Sequence, residues 1–403
     1  MRNLNIVFYD AGGGHRNAAD AVKTAMEAQS SPWTVTLLNL QELLDRIDPV
    51  HRTTGMRIQD VYNLILRRGW TRFTPQLLPI LQGSIRLNHG RIARVLQKYW
   101  AENPSDLVLS VIPHFNRQIA ESVRKSLPEA PFVTMLTDFA DYPPHFWIER
   151  ESEFLICGTA RAKQQALAMG HSPLSIFETS GMVMKSKFYQ KTLIDRGVER
   201  KRLGLAPDRP TGIVLFGGHG APVMLDIAAK LDESAQDLQL IMMCGHNKDL
   251  AVKLKKLRTK KKILVEGFTS QVDYYMALAD FFVGKPGPGS ISEALQFDLP
   301  AIVESNAKTM PQERYNTEWL TEKRLGIVLP SFQEVAAAVE QFLRPSTFQE
   351  FRDNARAHTN RALFEVPVIL EEVFERHSPE YMPVAPMGNV DLMGRHAMLQ
   401  GSR

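Results

Sequence analysis

Cysteine is scarce in this chain. Only Cys157 and Cys244 occur among 403 residues, far apart and outside any Cys-x-x-Cys spacing. That argues against a disulfide framework or a structural zinc site. No uninterrupted apolar run reaches the roughly 18 residues that a membrane-spanning helix needs. The N-terminus, MRNLNIVFYD, lacks the pattern of a signal peptide and leads straight into a strand, which points to the cytosol. Neither charge sign dominates: 48 Lys and Arg face 44 Asp and Glu, for a net +4. With 44% hydrophobic and 23% charged residues the chain is globular rather than disordered, and it is long enough for two domains with separate cores.

The positive charge is nonetheless unevenly spread. Between His51 and Lys98, nine Lys and Arg stand against one acid, Asp60, interleaved with Tyr62, Trp70, Phe73 and the apolar string QLLPILQG. A basic, aromatic, amphipathic segment suits adhesion to an anionic membrane surface. A solvated helical face over an ordinary core stripe fits the composition equally well. No zinc-finger, helix-turn-helix or RNA-binding signature accompanies the segment, so nucleic acid is not the expected partner.

Short apolar runs alternate with helical patterns, which predicts an α/β fold built on parallel, doubly wound sheets. In the first half the candidate strands are 5–10, 34–40, 106–112, 132–138, 153–158 and 175–181, with helices at 15–28, across the basic stretch, at 116–126 and at 160–170. After the charged segment KTLIDRGVERKRLGLAPDRP a second series follows at 211–218, 238–245, 262–268, 280–285, 300–305 and 326–330. Two Rossmann-type domains in tandem are expected, with bounds 1–180 and 181–365. A last helix should cover 366–380, and the proline-containing tail 381–403 has no clear period and reads as disordered.

Three glycine-rich turns carry the chemistry. AGGGHRNAAD follows the first strand, and three glycines there suggest a dinucleotide cradle. FGGHGAPVMLDIAAKL follows the strand 211–218 and opens a helix whose backbone N–H groups and dipole can face an anion, although neither Gly-x-Gly-x-x-Gly nor a P-loop is present. GKPGPGSISEAL is the most specific. Its glycines allow close backbone approach to a ligand, and a helix is expected to start near Ser290, with Glu293 in its first turn. That carboxylate could accept from the vicinal hydroxyls of a ribose, or could simply close a capping box with Ser290. Downstream, MPQERYN offers Gln312, Glu313 and Asn316 near another helix start, as groups for sugar hydroxyls or as caps.

The strings GGGH, LFGGHG, CGHNKDL, VEGFTSQVDYYMALAD, KPGPGSISEAL and PQERYN, in this order, resemble a glycosyltransferase family. It is the one typified by plant monogalactosyldiacylglycerol synthase and bacterial processive diacylglycerol glucosyltransferase, with the N-acetylglucosaminyltransferase of the peptidoglycan lipid precursor more distant. The resemblance implies the GT-B fold: two Rossmann-like domains facing a central cleft, the C-terminal one holding a UDP-sugar and a last helix crossing back. It implies that Glu293 holds the UDP ribose and that backbone around Phe268 and Thr269 meets the uracil. Gly287, Gly289 and Ser290 would face the diphosphate with Gly217 and Gly218 beside it, and Gly14 would border the donor. Gln312 and Glu313 would contact the hexose. Two departures stand out: Pro286 follows Lys285 where the family has alanine, and His219 sits where glycine or an acid is usual.

Retaining members of this fold usually carry two glutamates eight positions apart around the donor loop. Here those places are Lys285 and Ala301, so inversion is expected. His15, at the end of the first glycine loop, is the candidate general base. Asp138 could orient it or be the base itself. His114 and His145 also follow strands of the first domain and could contact acceptor or diphosphate. No metal or other cofactor is expected, and the expected partners are a UDP-sugar, a lipid acceptor resembling diacylglycerol and an anionic membrane surface. The resulting expectation is an inverting hexosyltransferase, peripheral on the cytoplasmic face of the cell membrane. A UDP-sugar 2-epimerase or hydrolase, or a non-catalytic nucleotide-sugar binder, are the alternatives.

Overall fold

The computed structural model describes residues 1–10, 13–28, 32–45, 82–143, 145–190 and 194–377. Twelve strands form two all-parallel sheets of six among these residues. The first contains β1 (Arg2–Phe8), β2 (Trp33–Asn39), β3 (Leu107–Ser110), β4 (Phe132–Met135), β5 (Phe154–Cys157) and β6 (Ile176–Glu178), in the order β2-β1-β3-β4-β5-β6. The second contains β7 (Thr211–Leu215), β8 (Gln239–Met243), β9 (Ile263–Glu266), β10 (Phe281–Gly284), β11 (Ala301–Glu304) and β12 (Gly326–Leu329), in the order β12-β11-β10-β7-β8-β9.

Helices cover both faces of each sheet, so the central strands read as unbroken apolar runs rather than alternating ones. LVLS of β3 and FVTM of β4 are buried at every position. The principal helices of the first unit among the described residues are α1 (Gly14–Ala28), α2 (His89–Glu102), α3 (Asn116–Ser126) and α4 (Ala160–Ala168). Those of the second are α5 (Val223–Glu233), α6 (Lys248–Lys256), α7 (Val272–Leu278), α8 (Pro288–Gln296), α9 (Arg314–Glu322), α10 (Val335–Phe342) and α11 (Pro345–Ala357). Three expected strands stop short of 138, 181 and 268, at Met135, Glu178 and Glu266. After Met135 the side chains of Thr137 and Asp138 turn to His15 and Trp147, a loop's task rather than a strand's. Of the basic stretch, residues 51–81 lie outside those described, and so does the tail.

The last described helix, α12 (Ala362–His377), does not stay with the second unit. Val366, Ile369, Leu370 and Val373 join the same apolar core as Leu4, Ile6, Val22 and Leu109 of the first. Burying each such side chain is worth roughly 1.5–3 kcal/mol, so this helix is fastened to the first sheet chiefly by packing. Polar contacts fix its register. Glu371 takes Arg2 at 3.0 Å and the indole N–H of Trp33, while Phe374 packs edge-on against the Trp33 ring. At its start Glu365 accepts from both the backbone N–H and the hydroxyl of Ser180, at 2.7 and 3.0 Å. Between the units, Phe139 and Trp319 meet edge to face at 4.7 Å, both buried.

Candidate active site

In open parallel sheets, ligands bind beyond the carboxyl ends of strands where the strand order reverses. Here the first sheet reverses between β1 and β3, the second between β7 and β10. Gly13, Gly14 and His15 follow β1, and His114 follows β3. Gly217 and Gly218 follow β7, and Lys285 to Gly289 follow β10. Every glycine-rich turn singled out in the sequence therefore falls at a switch point.

In the first unit Gly13 turns the chain with φ +83° and His15 enters the first turn of α1. The His15 Nδ1 lies 2.9 Å from the carbonyl oxygen of Val111 and 3.1 Å from the Thr137 hydroxyl. A carbonyl can only accept, so Nδ1 carries the hydrogen and Nε2 keeps its lone pair. Tyr9 meets the ring edge-on at 5.4 Å, and Trp147 sits tilted at 5.8 Å. Burial lowers the His15 imidazole to about 4, partly offset by the Val111 contact, so the ring is neutral at physiological pH. His114 adopts φ +71°, and burial plus the proximity of His15 lowers it also to about 4. Its Nδ1 is buried without a hydrogen-bond partner among the described residues. His145, at φ +63°, is exposed and donates its backbone N–H to Asp141.

Asp138 does not orient His15; that expectation is corrected by the geometry. Its Oδ2 accepts from the Trp147 indole at 2.9 Å, and the group that holds the imidazole is the carbonyl of Val111 with the Thr137 hydroxyl. Burial, counteracted by the Trp147 bond and aggravated by Glu313, pushes the Asp138 carboxyl up to about 7, and Lys285 acts in the opposite sense. Those two residues belong to the second unit, so Asp138 senses the donor loop across the interface.

In the second unit α8 begins at Pro288, with Gly287 as its N-cap, not near Ser290. Proline's fixed φ and missing N–H favour that first position. Ser290 and Glu293 therefore form no capping box, and no side chain caps the helix. Glu293 lies in the second turn, half-buried, with no hydrogen-bond partner among the described residues. Burial raises its carboxyl to about 7, against the opposing pull of Lys187 and Lys185. Gly289 has open space where a side chain would stand. Lys285 reaches the buried Glu313 at 3.2 Å and lies beside Gly217 and Gly287. Glu313 is thus ion-paired in the loop through Oε1. Asn316 donates to the Pro286 carbonyl at 2.7 Å while its Oδ1 is buried without a partner among the described residues. Gln312 is half-buried one residue before Glu313.

The β7 turn packs on the loop after β8. Gly245, at φ +56°, has no room for a side chain: an added Cβ would lie 2.2 Å from the Gly218 oxygen. His246 donates its backbone N–H to that oxygen at 2.9 Å and stacks its ring on Phe268 at 3.9 Å and 19°. Phe268 is 65% exposed, and Thr269 follows it. Cys244 is buried behind them, its thiol raised by burial to about 11, which is no nucleophile.

Residues 212–373 match the glycosyltransferase family 28 C-terminal domain. Over 390 residues the chain is 26% identical to the chloroplastic monogalactosyldiacylglycerol synthase of Spinacia oleracea, covering 92% of this chain and 72% of that protein. The chain is a glycosyltransferase. Among solved structures, Acinetobacter baumannii MurG superposes on this glycosyltransferase with TM-score 0.62 at 12% identity, covering 92% of this chain and all of that one. Anabaena HepE in complex with UDP-glucose does so with TM-score 0.54 at 13% identity, covering 92% of this chain and 100% of that one. The two facing Rossmann-like units are therefore the GT-B fold. Sequence reading passed over Val111, Thr137, Trp147 and the His246–Phe268 stack.

Proposed function

We propose that this glycosyltransferase moves a hexose from a UDP-sugar, with inversion, to the hydroxyl of a diacylglycerol-like lipid. It would work as a peripheral protein on the cytoplasmic face of an anionic membrane. The observation that carries the reading is His15: a neutral imidazole with Nδ1–H fixed on a backbone carbonyl and Nε2 left to receive a proton. In the proposed step the acceptor O–H gives its proton to Nε2 as its oxygen attacks C1 of the hexose. The C1–O bond to the diphosphate breaks, and UDP leaves with the bonding pair. An incoming diphosphate beside His15 raises the imidazole's basicity toward the ~6.5 of a free side chain, which suits a general base.

Glu293 supports the donor half of the reading, because a half-buried carboxylate without a partner matches a ribose diol. Phe268, with His246 stacked on it, and Thr269 take the base. Gly14 at the N-terminus of α1 and Gly287, Gly289 and Ser290 at that of α8, with Gly217 and Gly218 in the β7 turn, take the diphosphate. Gln312 and Glu313 take hexose hydroxyls. The scheme calls on no metal. The HepE complex with UDP-glucose supports the nucleotide class, and the name of the spinach relative supports a lipid acceptor. No helix among the described residues is long and apolar enough to cross a membrane, in keeping with a peripheral attachment. The test is incubation of the purified chain with a panel of UDP-sugars and extracted lipids, followed by mass spectrometry. A new β-linked glycolipid is the expected product; UDP release without any glycolipid would reject the lipid acceptor.

A further inference from the structure

The second unit carries a basic strip that the reaction does not use. From Val252 to Lys262 the sequence is VKLKKLRTKKK, with seven cations and no acid. With +7 here and +8 between His51 and Lys98, the rest of a chain whose total is +4 carries −11. The positive charge is therefore concentrated in two places on an otherwise acidic protein.

The strip runs from the end of α6 to the edge strand β9. Leu250 and Leu254 anchor α6 to the core, which turns Lys253, Lys255 and Lys256 outward. Arg258, Lys260 and Lys262 are exposed as well, and none of these six side chains makes an ion pair or hydrogen bond among the described residues. Lys261 alone is spent, on the backbone oxygens of Asp232 and Ser234 at 3.0 and 2.6 Å. Two apolar side chains stand among the cations: Val252 is 51% and Leu257 37% exposed. Cations in the last helical turn offset the helix dipole, and a lysine or two protects a sheet edge. Neither effect requires six unpaired cations, nor exposed aliphatic residues between them.

We infer that this strip docks the donor-binding domain onto an anionic phospholipid bilayer. Phosphate headgroups meet the lysines and Arg258, and Val252 and Leu257 enter the interfacial layer. The inference deepens the proposed reaction by giving the domain opposite the His15 crevice its own hold on the lipid surface. It rests on that reading for the choice of a bilayer as the anionic partner.

The test uses the full chain and the variant Lys253→Gln/Lys255→Gln/Lys256→Gln, with Lys260→Gln/Lys262→Gln as a second. Co-sedimentation is measured with vesicles of phosphatidylcholine alone and of phosphatidylcholine containing phosphatidylglycerol. Each lysine near an anionic surface contributes roughly 1 kcal/mol, about fivefold, so the triple variant should lose about 100-fold in partition onto the anionic vesicles. The parent's binding should weaken with salt and be absent from neutral vesicles. Unchanged thermal unfolding, together with unchanged transfer to a short-chain diacylglycerol in solution, separates lost docking from lost folding or catalysis. Partition of both variants equal to the parent's overturns the inference and leaves the proposed reaction standing. Tighter retention of an RNA oligonucleotide than of anionic vesicles, lost in the same variants, overturns it too. Docking through the strip with no lipid glycosylated leaves it intact and rejects the acceptor instead.

Discussion

The two switch-point crevices have the same topology and opposite chemistry. The one in the first unit is lined by aromatic rings and two neutral histidines, and the buried carboxyl of Asp138, on Trp147 beside it, is raised to about 7. The one in the second unit is built from glycines, an ion pair and an unpartnered glutamate. A fold of this kind supplies a place to bind, and the residues that follow each strand decide what is bound. The first crevice is suited to taking a proton from an alcohol, the second to holding a polyol and phosphates.

Breaking the first crevice should have the largest effect. His15→Ala is expected to lower kcat by about 10²–10⁴-fold with little change in donor KM, measured by UDP release under saturating acceptor. Breaking the second should act on binding. Glu293→Ala is expected to raise the UDP-sugar KM roughly 10–100-fold, since a hydrogen bond to a charged group is worth about 1.5–3 kcal/mol. The same carboxyl makes a stability prediction. Its folded value, about 7, lies above the unfolded one, so the folded state holds the proton more tightly. Its contribution is lost as pH rises toward 7, and Glu293→Gln should therefore melt above the parent at pH 8, by on the order of 1 kcal/mol, and show no such gain at pH 4.

Asp138 lies between the two crevices and sharpens the contrast. The parent's kcat/KM should change slope near pH 7, where Asp138 and Glu293 are both placed; Asp138→Asn should reduce that inflection and Asp138→Asn with Glu293→Gln should remove it. His15, lowered to about 4, should give no acid limb until well below neutrality in the free enzyme. The smallest effect is expected at the base platform. Phe268→Ala should weaken UDP binding about 3–10-fold by calorimetry, as befits one exposed stacking contact of about 0.5–1.5 kcal/mol.

Much of this was legible in the sequence because apolar runs in parallel sheets are continuous. The strand at 106–112 and the helix at 116–126 could be read directly, and the structure places them at Leu107–Ser110 and Asn116–Ser126. Glycines after β1, β7 and β10 marked the crevices. What could not be read was the partner of His15, because a backbone carbonyl 96 residues away has no side-chain signature. The start of α8 was misplaced for a different reason: Ser290 has the chemistry of a cap, but Pro288 fits the first helical position better. That shift removes the capping-box explanation of Glu293, whose carboxylate is left without a hydrogen-bond partner among the described residues. The His246–Phe268 stack joins two loops that follow different strands, and no local pattern foretells such a pairing.

The placement of α12 has a consequence for biosynthesis. Val366, Ile369, Leu370 and Val373 complete a core whose other members begin at Leu4. While the ribosome is still making the second unit, the first has all its strands but an uncovered apolar face along α1 and β1. Its maturation must await nearly the whole polypeptide, and a transcript cut short before residue 362 should yield an aggregation-prone fragment rather than a free-standing half-enzyme.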